Sequence, residues 1–189
     1  MPNAAIAGDA SATLTSSNQV ELIHNGAVVN TFQHIQDAIN AASDGDTISV
    51  GAGTYDEAVI IDRGVTIVGP NHGLAGSSAL RGDEAIITGK VTITSATTVH
   101  IDGVEFADQT DWQNGAAAAA DLRTALSINT FADHVVENSI FVRDPANGGN
   151  TGDNFVGFGA AQAHRALYIS GGNDGSVTIS DNLQPHLQL

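Results

Sequence analysis

Asp56-Glu57-Ala58-Val59-Ile60-Ile61 recurs as Asp83-Glu84-Ala85-Ile86-Ile87-Thr88, an offset of 27, and Val65-Thr66-Ile67 recurs as Val91-Thr92-Ile93, an offset of 26. Two short apolar runs therefore repeat together, each bounded by Gly, Asn or Asp. Runs this short, rich in Val, Ile and Thr, read as strands between turns, because β-branched side chains suit a pleated surface. The pattern continues downstream. Ile101-Asp102-Gly103-Val104-Glu105-Phe106 is echoed by Val136-Glu137-Asn138-Ser139-Ile140-Phe141, an offset of 35, and Ala125-Leu126-Ser127-Ile128 by Ala166-Leu167-Tyr168-Ile169, an offset of 41. A period that stretches by whole loops while keeping its strands is the signature of a stacked repeat architecture. A β-sandwich also supplies many short strands, but it favours strict in-out alternation and hairpin turns and does not require matched strand pairs at a fixed offset. The expected fold class is all-β: a parallel β-helix (solenoid) with one N-terminal capping α-helix.

Upstream of the repeats, Gln19 to His24 reads as a first strand and Asn25-Gly26 as a turn. Asn30 followed three positions later by Gln33 reads as a capping box, with Phe32, Ile35, Ile39 and Ala42 on one helical face and Asp44-Gly45-Asp46 as the stop. The open end of a β-helix exposes backbone edges and apolar core, so the helix is expected to serve as its lid. The expected organisation is a segment with capping helix over residues 1–46, then strands and turns over 47–189, with inserted loops at 107–122 and 143–164.

The stretch Ile35-Gln36-Asp37-Ala38-Ile39-Asn40-Ala41-Ala42, then Asp44 to Val50, then Gly53-Thr54-Tyr55-Asp56-Glu57 and Val65-Thr66-Ile67-Val68-Gly69 resembles the opening of the pectin-lyase-like right-handed parallel β-helix superfamily. It is similar to the start of pectin methylesterases and of nitrous-oxide-reductase accessory-type β-helix proteins. The resemblance covers residues 31–106 and implies the fold; enzymes and non-enzymes share this segment. For the esterases it implies two aspartates and an arginine in later strands, with glutamines shaping an oxyanion site. The nearest approach to those motifs here is Gln162-Ala163-His164-Arg165-Ala166-Leu167.

Composition narrows the partners. With 21 Asp and Glu against 6 Lys and Arg the formal net charge is -15, and the cations are scattered, which disfavours nucleic acid and anionic membrane surfaces. No apolar stretch approaches the roughly 18 residues of a membrane span, so no membrane insertion is expected. The absence of cysteine removes disulfides, thiolate metal sites and a cysteine nucleophile. The first residues carry neither a basic start nor an apolar run of signal-peptide length. The expected setting is extracellular or at the cell surface, without a visible N-terminal signal.

Candidate site residues come from the two inserted loops and from the few cations. A lyase or epimerase acting on acidic polysaccharide needs a cation to neutralise the uronate and a base to take its proton. Among Arg63, Arg81, Lys90, Arg123, Arg143 and Arg165, the pair Arg123 and Arg165 precede equivalent strands and are the catalytic candidates. The first loop holds Asp108, Asp111 and the single tryptophan, Trp112, which can stack on a sugar ring or fold back as a packing anchor. In the second, Gly148 to Val156 follows the calcium-roll nonapeptide except at Thr151, making Asn150, Asp153 and Asn154 candidate calcium ligands. Gly171-Gly172-Asn173-Asp174 begins a second approximation that has Ser176 in place of the aspartate. The histidines show no metal-ligand spacing and are expected to play structural roles; His100 and His134, one before Ile101 and two before Val136, offer a stacked surface pair as the alternative.

The expected function is a non-catalytic β-helix module of a secreted or cell-surface bacterial protein, acting as a scaffold or as a carbohydrate-contacting, adhesin-like surface. The alternative is an enzyme acting on acidic polysaccharide as a lyase, epimerase or esterase. No cofactor is required by the sequence; calcium is the one it suggests, with an ion-free glycine-rich loop as the alternative, and polysaccharide is the suggested partner. In the last repeat Gln184 stands where Phe106 and Phe141 stood and Pro185 follows, so an uncapped end that continues or self-associates is expected. The acids at Asp56-Glu57 and Asp83-Glu84 are expected to belong to a solvated outer wall.

Overall fold

Short runs of alternating buried and half-exposed residues dominate the chain. Val59-Ile60-Ile61, Ala85-Ile86-Ile87 and Val91-Thr92-Ile93 each bury their outer two residues and turn the middle one outward. That is the period of two expected of strands with one face in a core. In the computed structural model the described residues are 18–107, 124–130, 132–142, 156–157, 165–170 and 175–183. Among them the elements are β1 (Val20–His24), β2 (Ala27–Phe32), α1 (Ile35–Ala41), β3 (Thr47–Val50), β4 (Gly53–Tyr55), β5 (Val59–Ile61), β6 (Thr66–Val68), β7 (Ala85–Ile87), β8 (Val91–Ile93), β9 (His100–Asp102), β10 (Glu105–Phe106), β11 (Thr124–Ile128), β12 (His134–Glu137), β13 (Ile140–Phe141), β14 (Val156–Gly157), β15 (Arg165–Ile169) and β16 (Val177–Ser180).

The fold is all-β, with one helix among the described residues. The strands form three sheets, ordered β16-β12-β9-β6-β3-β1-β2, β13-β10-β7-β4 and β14-β15-β11-β8-β5. All pairings are parallel except those that β1 makes with β2 and β3. From β3 to β13, consecutive strands fall in the first, second and third sheet in strict rotation. The inward faces of all three sheets contribute to a single apolar cluster. Its rows follow the register: Ile48, Ile67, Ile101 and Val136 in the first sheet, Tyr55, Ile87, Phe106 and Phe141 in the second, and Ile61, Ile93 and Ile128 in the third. Each buried side chain of this size stabilises by about 1.5–3 kcal/mol. Phe106 and Phe141 also stack, with ring centroids 4.8 Å apart and planes 20° from parallel.

This register bears out two of the repeats and corrects two. Phe106 is opposite Phe141 and Ile101 opposite Val136, the offset of 35, and Leu126 is opposite Leu167, the offset of 41. The two opening repeats are not register partners. Val59 to Ile61 pairs with Val91 to Ile93 in the third sheet, whereas Ala85 to Ile87 pairs with Gly53 to Tyr55 in the second. Both true offsets are 32. Thr66 to Val68 lies in the first sheet, so Val65-Thr66-Ile67 and Val91-Thr92-Ile93 also belong to different sheets. The physical reason is that all three sheets bury the same kind of face, so strands of different sheets carry the same apolar pattern.

At the end of the stack where the chain enters, each first strand has its free edge answered. β1 pairs with β3, and the hairpin to β2 turns on Asn25 and Gly26, both with positive φ, adding a strand where only a turn and helix were expected. The Asn18 side-chain amide donates to Thr54 O at 2.9 Å, beside β4. Gln36 treats β5 as a neighbouring strand does: its Oε1 accepts from Ile60 N at 2.6 Å and its Nε2 donates to Ile60 O at 3.2 Å. The helix packs against β1, β2, β3 and β5 through buried Ile35, Ala38 and Ile39. The expected helical face holds for Ile35 and Ile39, with Ala42 buried at the C-cap, and is corrected at Phe32, which ends β2 and packs against the same cluster from there.

The capping box is not formed. Asn30 lies in β2, where its Oδ1 accepts from the adjacent Thr31 N–H, and the N-cap residue is His34, with no side-chain cap. Instead the Glu57 carboxylate accepts from Ile35 N at 2.7 Å and Gln36 N at 3.1 Å. Asp46, 5% exposed, closes the far side: it accepts from Ser43 N at 2.8 Å and from His24 Nδ1 at 2.6 Å, and those bonds, Ser43's foremost, hold its carboxyl below the usual range. The repeated acids therefore do not form a solvated wall as a set, since Glu57 caps the helix and Glu84 is held by Arg81 through bonds of 2.7 and 2.8 Å.

Glu57→Ala is expected to lower stability by about 1–2 kcal/mol and Gln36→Ala by about 1 kcal/mol, through orphaned helix and strand N–H groups. Leu80, 81% exposed, supplies the control: Leu80→Ala should change stability by about 0.5 kcal/mol or less. Urea denaturation followed by circular dichroism checks all three.

Candidate functional site

His100-Ile101-Asp102 makes up β9, and the alternation that buries Ile101 turns His100 and Asp102 to the outer side of the first sheet. On the neighbouring β12 the same rule buries Val136 and turns Glu137 outward, and the register sets Glu137 opposite Asp102 and Val135 opposite His100. Three polar side chains are thereby brought to one place by pairing alone. The ligand-capable atoms of His100, Asp102 and Glu137 lie within 4.8 Å of one another. His100 Nε2 is 2.8 Å from Glu137 Oε1; a carboxylate only accepts, so Nε2 carries the proton and donates. His100 and Glu137 are 34% and 30% exposed, accessible yet held.

The surroundings fix the carboxylate of Asp102. Its Oδ1 accepts from Gly73 N at 3.0 Å and from Asn138 Nδ2 at 2.9 Å. Asn138 can reach back because it adopts a positive φ of 51°, a conformation asparagine tolerates, at the turn after β12. Its carbonyl is clamped by Arg81 at 2.6 Å, and Arg81 is bonded to Leu74 O and paired with Glu84. Gly103 lets this turn close: with φ of 75° and the Asn71-His72 backbone against it, it has no room for a Cβ.

The residues expected to carry chemistry fall elsewhere. Arg123, Trp112, Asp108, Asp111, Asn150, Asp153 and Asn154 lie outside the described residues. Arg165 begins β15, its backbone opposite Thr124 of β11. Of the other cations, Arg81 is the clamp just described. Arg63 pairs with Asp62 and donates to the Asn40 and Ala42 carbonyls at the end of the helix, and these contacts make both structural. Beside Arg81, burial and then the Glu84 charge push the Glu105 carboxyl up, with Arg81 acting in the opposite sense.

The His100–His134 surface pair does not form. His134 points inward and is fully buried, while the register places Val135 opposite His100. The one-residue difference in position reverses the face, as it must in a strand. His134 Nδ1 accepts from Val99 N at 3.1 Å, so Nε2 carries the proton and donates to Thr130 Oγ1 at 2.8 Å. The cluster of His100, Asp102 and Glu137 was present in the sequence as the spacing of two along β9 and the offset of 35 that aligns Asp102 with Glu137.

Burial pulls the His134 imidazole below its ordinary value, with the Asp133 charge acting against it. Protonation would place a second N–H against that of Val99. As pH falls below about 6.5 the unfolded chain takes up this proton before the folded one, so stability is full above that value and declines below it. Urea midpoints measured between pH 7.5 and 5 should fall with acidification, and His134→Gln should flatten part of that slope.

No family model matches the chain, and neither a curated protein nor a solved structure matches it, so its function is argued from geometry.

Proposed function

We propose that the chain is a right-handed parallel β-helix of the pectin-lyase-like kind and acts as a non-catalytic scaffold that contacts carbohydrate, as a module of a secreted or cell-surface protein. The observation that carries this reading is the strict rotation of consecutive strands through three sheets that share one core. A chain that returns to the same sheet every third strand, always in parallel, winds about an axis, and parallel crossovers are right-handed in about 98% of cases. Such a winding presents long flat rows of outward side chains at the strand spacing of about 4.8 Å. On the first sheet these rows are largely polar: Thr66, His100 and Thr178 share one with Val135, and Asp102, Glu137 and Ser180 share the next with Val68. Hydroxyl, imidazole and carboxylate groups at that pitch suit the hydroxyl-rich repeat of a polysaccharide. No helix among the described residues is long and apolar enough to cross a membrane.

Affinity electrophoresis in gels containing neutral polysaccharide, pectate or alginate tests the binding. With a net charge of -15, retardation is expected in neutral polymer without additive and in the anionic polymers only with calcium. Incubation with pectate, alginate and methylated pectin should release neither unsaturated product nor methanol. Turnover abolished by Arg165→Ala would overturn the scaffold reading in favour of an enzyme, and absence of retardation by every polymer would remove the carbohydrate contact.

A further inference from the structure

We propose that His100, Asp102 and Glu137 form a binding site for a divalent first-row transition ion on the outer face of the first sheet. The site shares the outer face of the first sheet with the rows proposed to contact carbohydrate, and its test reads the metal alone. His100 and Asp102 are two residues apart on one strand and Glu137 is on the next, so backbone pairing, rather than a mobile loop, sets the three positions. Their donor atoms already lie within 4.8 Å of one another. An ion with bonds of about 2.0–2.2 Å holds its ligands about 3–4 Å apart, so small side-chain rotations close the set.

The second shell is that of a ligand group. Asp102 is oriented through Oδ1 by the Gly73 N–H and the Asn138 amide, which leaves Oδ2 for the ion. Asn138 is in turn fixed by Arg81. Groups that hold a ligating carboxylate in this way are worth about 10–100-fold in affinity. His100 presents Nε2, the nitrogen now bonded to Glu137. On binding, the ion takes the place of that hydrogen, the imidazole proton moves to Nδ1, and no proton is lost from a neutral ring. Two carboxylates and a neutral imidazole balance the charge of a divalent ion.

The donor set selects the ion. Calcium takes six to eight oxygens, whereas one imidazole with two carboxylates suits zinc, manganese, cobalt or nickel. The remaining coordination positions face solvent, since all three residues are only half-buried.

Isothermal titration of the metal-free full chain with Zn2+ tests the site, with Co2+ absorption as a report on coordination. One tight equivalent is expected, undiminished by excess calcium. His100→Gln and Glu137→Gln should each weaken it by at least about tenfold, and Asn138→Gly, which keeps the backbone conformation, by about tenfold. His34→Gln, which removes an exposed histidine at the capping helix, away from the site, should leave it unchanged. Circular dichroism melts establish that each variant is folded. A tight equivalent that survives in the folded His100→Gln and Glu137→Gln proteins, its absence from the unaltered chain, or its displacement by calcium would overturn the proposal.

Discussion

The described residues rest on parallel strands only two to five residues long, which depend on a neighbouring strand and on the apolar core beneath them. A strand of three residues forms few ladder bonds and buries one or two side chains. The register compensates by stacking like on like, as in the rows ending in Phe106 and Phe141 or in Ile93 and Ile128. The weakness of such an arrangement is its end, where backbone groups face nothing. The chain answers each first strand separately, with β1 against β3, Asn18 beside β4 and Gln36 against β5. Glu57 then ties the helix carrying Gln36 to the segment between β4 and β5. The cap is a polar device with an apolar underside.

How much of this is visible in the sequence depends on how distinctive the side chains are. Phe106 and Phe141 are large and rare in a chain with six phenylalanines, so their alignment at an offset of 35 identifies true register partners. The runs ending in Ile61 and Thr88 match equally well as strings, yet they occupy different sheets, because alternating Val and Ile report only that one face is buried. The helix face was legible for the same reason that its cap was not. Ile35, Ala38 and Ile39 follow the helical period, while the capping carboxylate of Glu57 comes from 22 residues downstream and leaves no local signature.

The polar constellation on the first sheet had a readable half. Asp102 and Glu137 fall together once the offset of 35 is accepted, and His100 shares a face with Asp102 by strand parity. Pairing His100 with His134 required a shift of one residue, and in a strand that shift exchanges surface for core. His134 accordingly stands among buried groups, bonded to Val99 and Thr130, and contributes to the acid sensitivity of the fold instead of to its surface chemistry. Asn138 was invisible as a positioning group because its role depends on a positive φ and on Arg81, which lies 57 residues earlier in the chain.

The chain returns to the same sheet in the register set by the third-sheet pairing, with Ile60 opposite Thr92. Because the protein has no cysteine, paired substitutions report this directly: neighbouring strands lie about 4.8 Å apart, within the span a disulfide bridges. Mass spectrometry of Ile60→Cys/Thr92→Cys and Thr54→Cys/Ile86→Cys proteins under mild oxidation should show closure in both. Failure of both pairs, with closure of Ile60→Cys/Ile87→Cys at the offset of 27, would contradict the account.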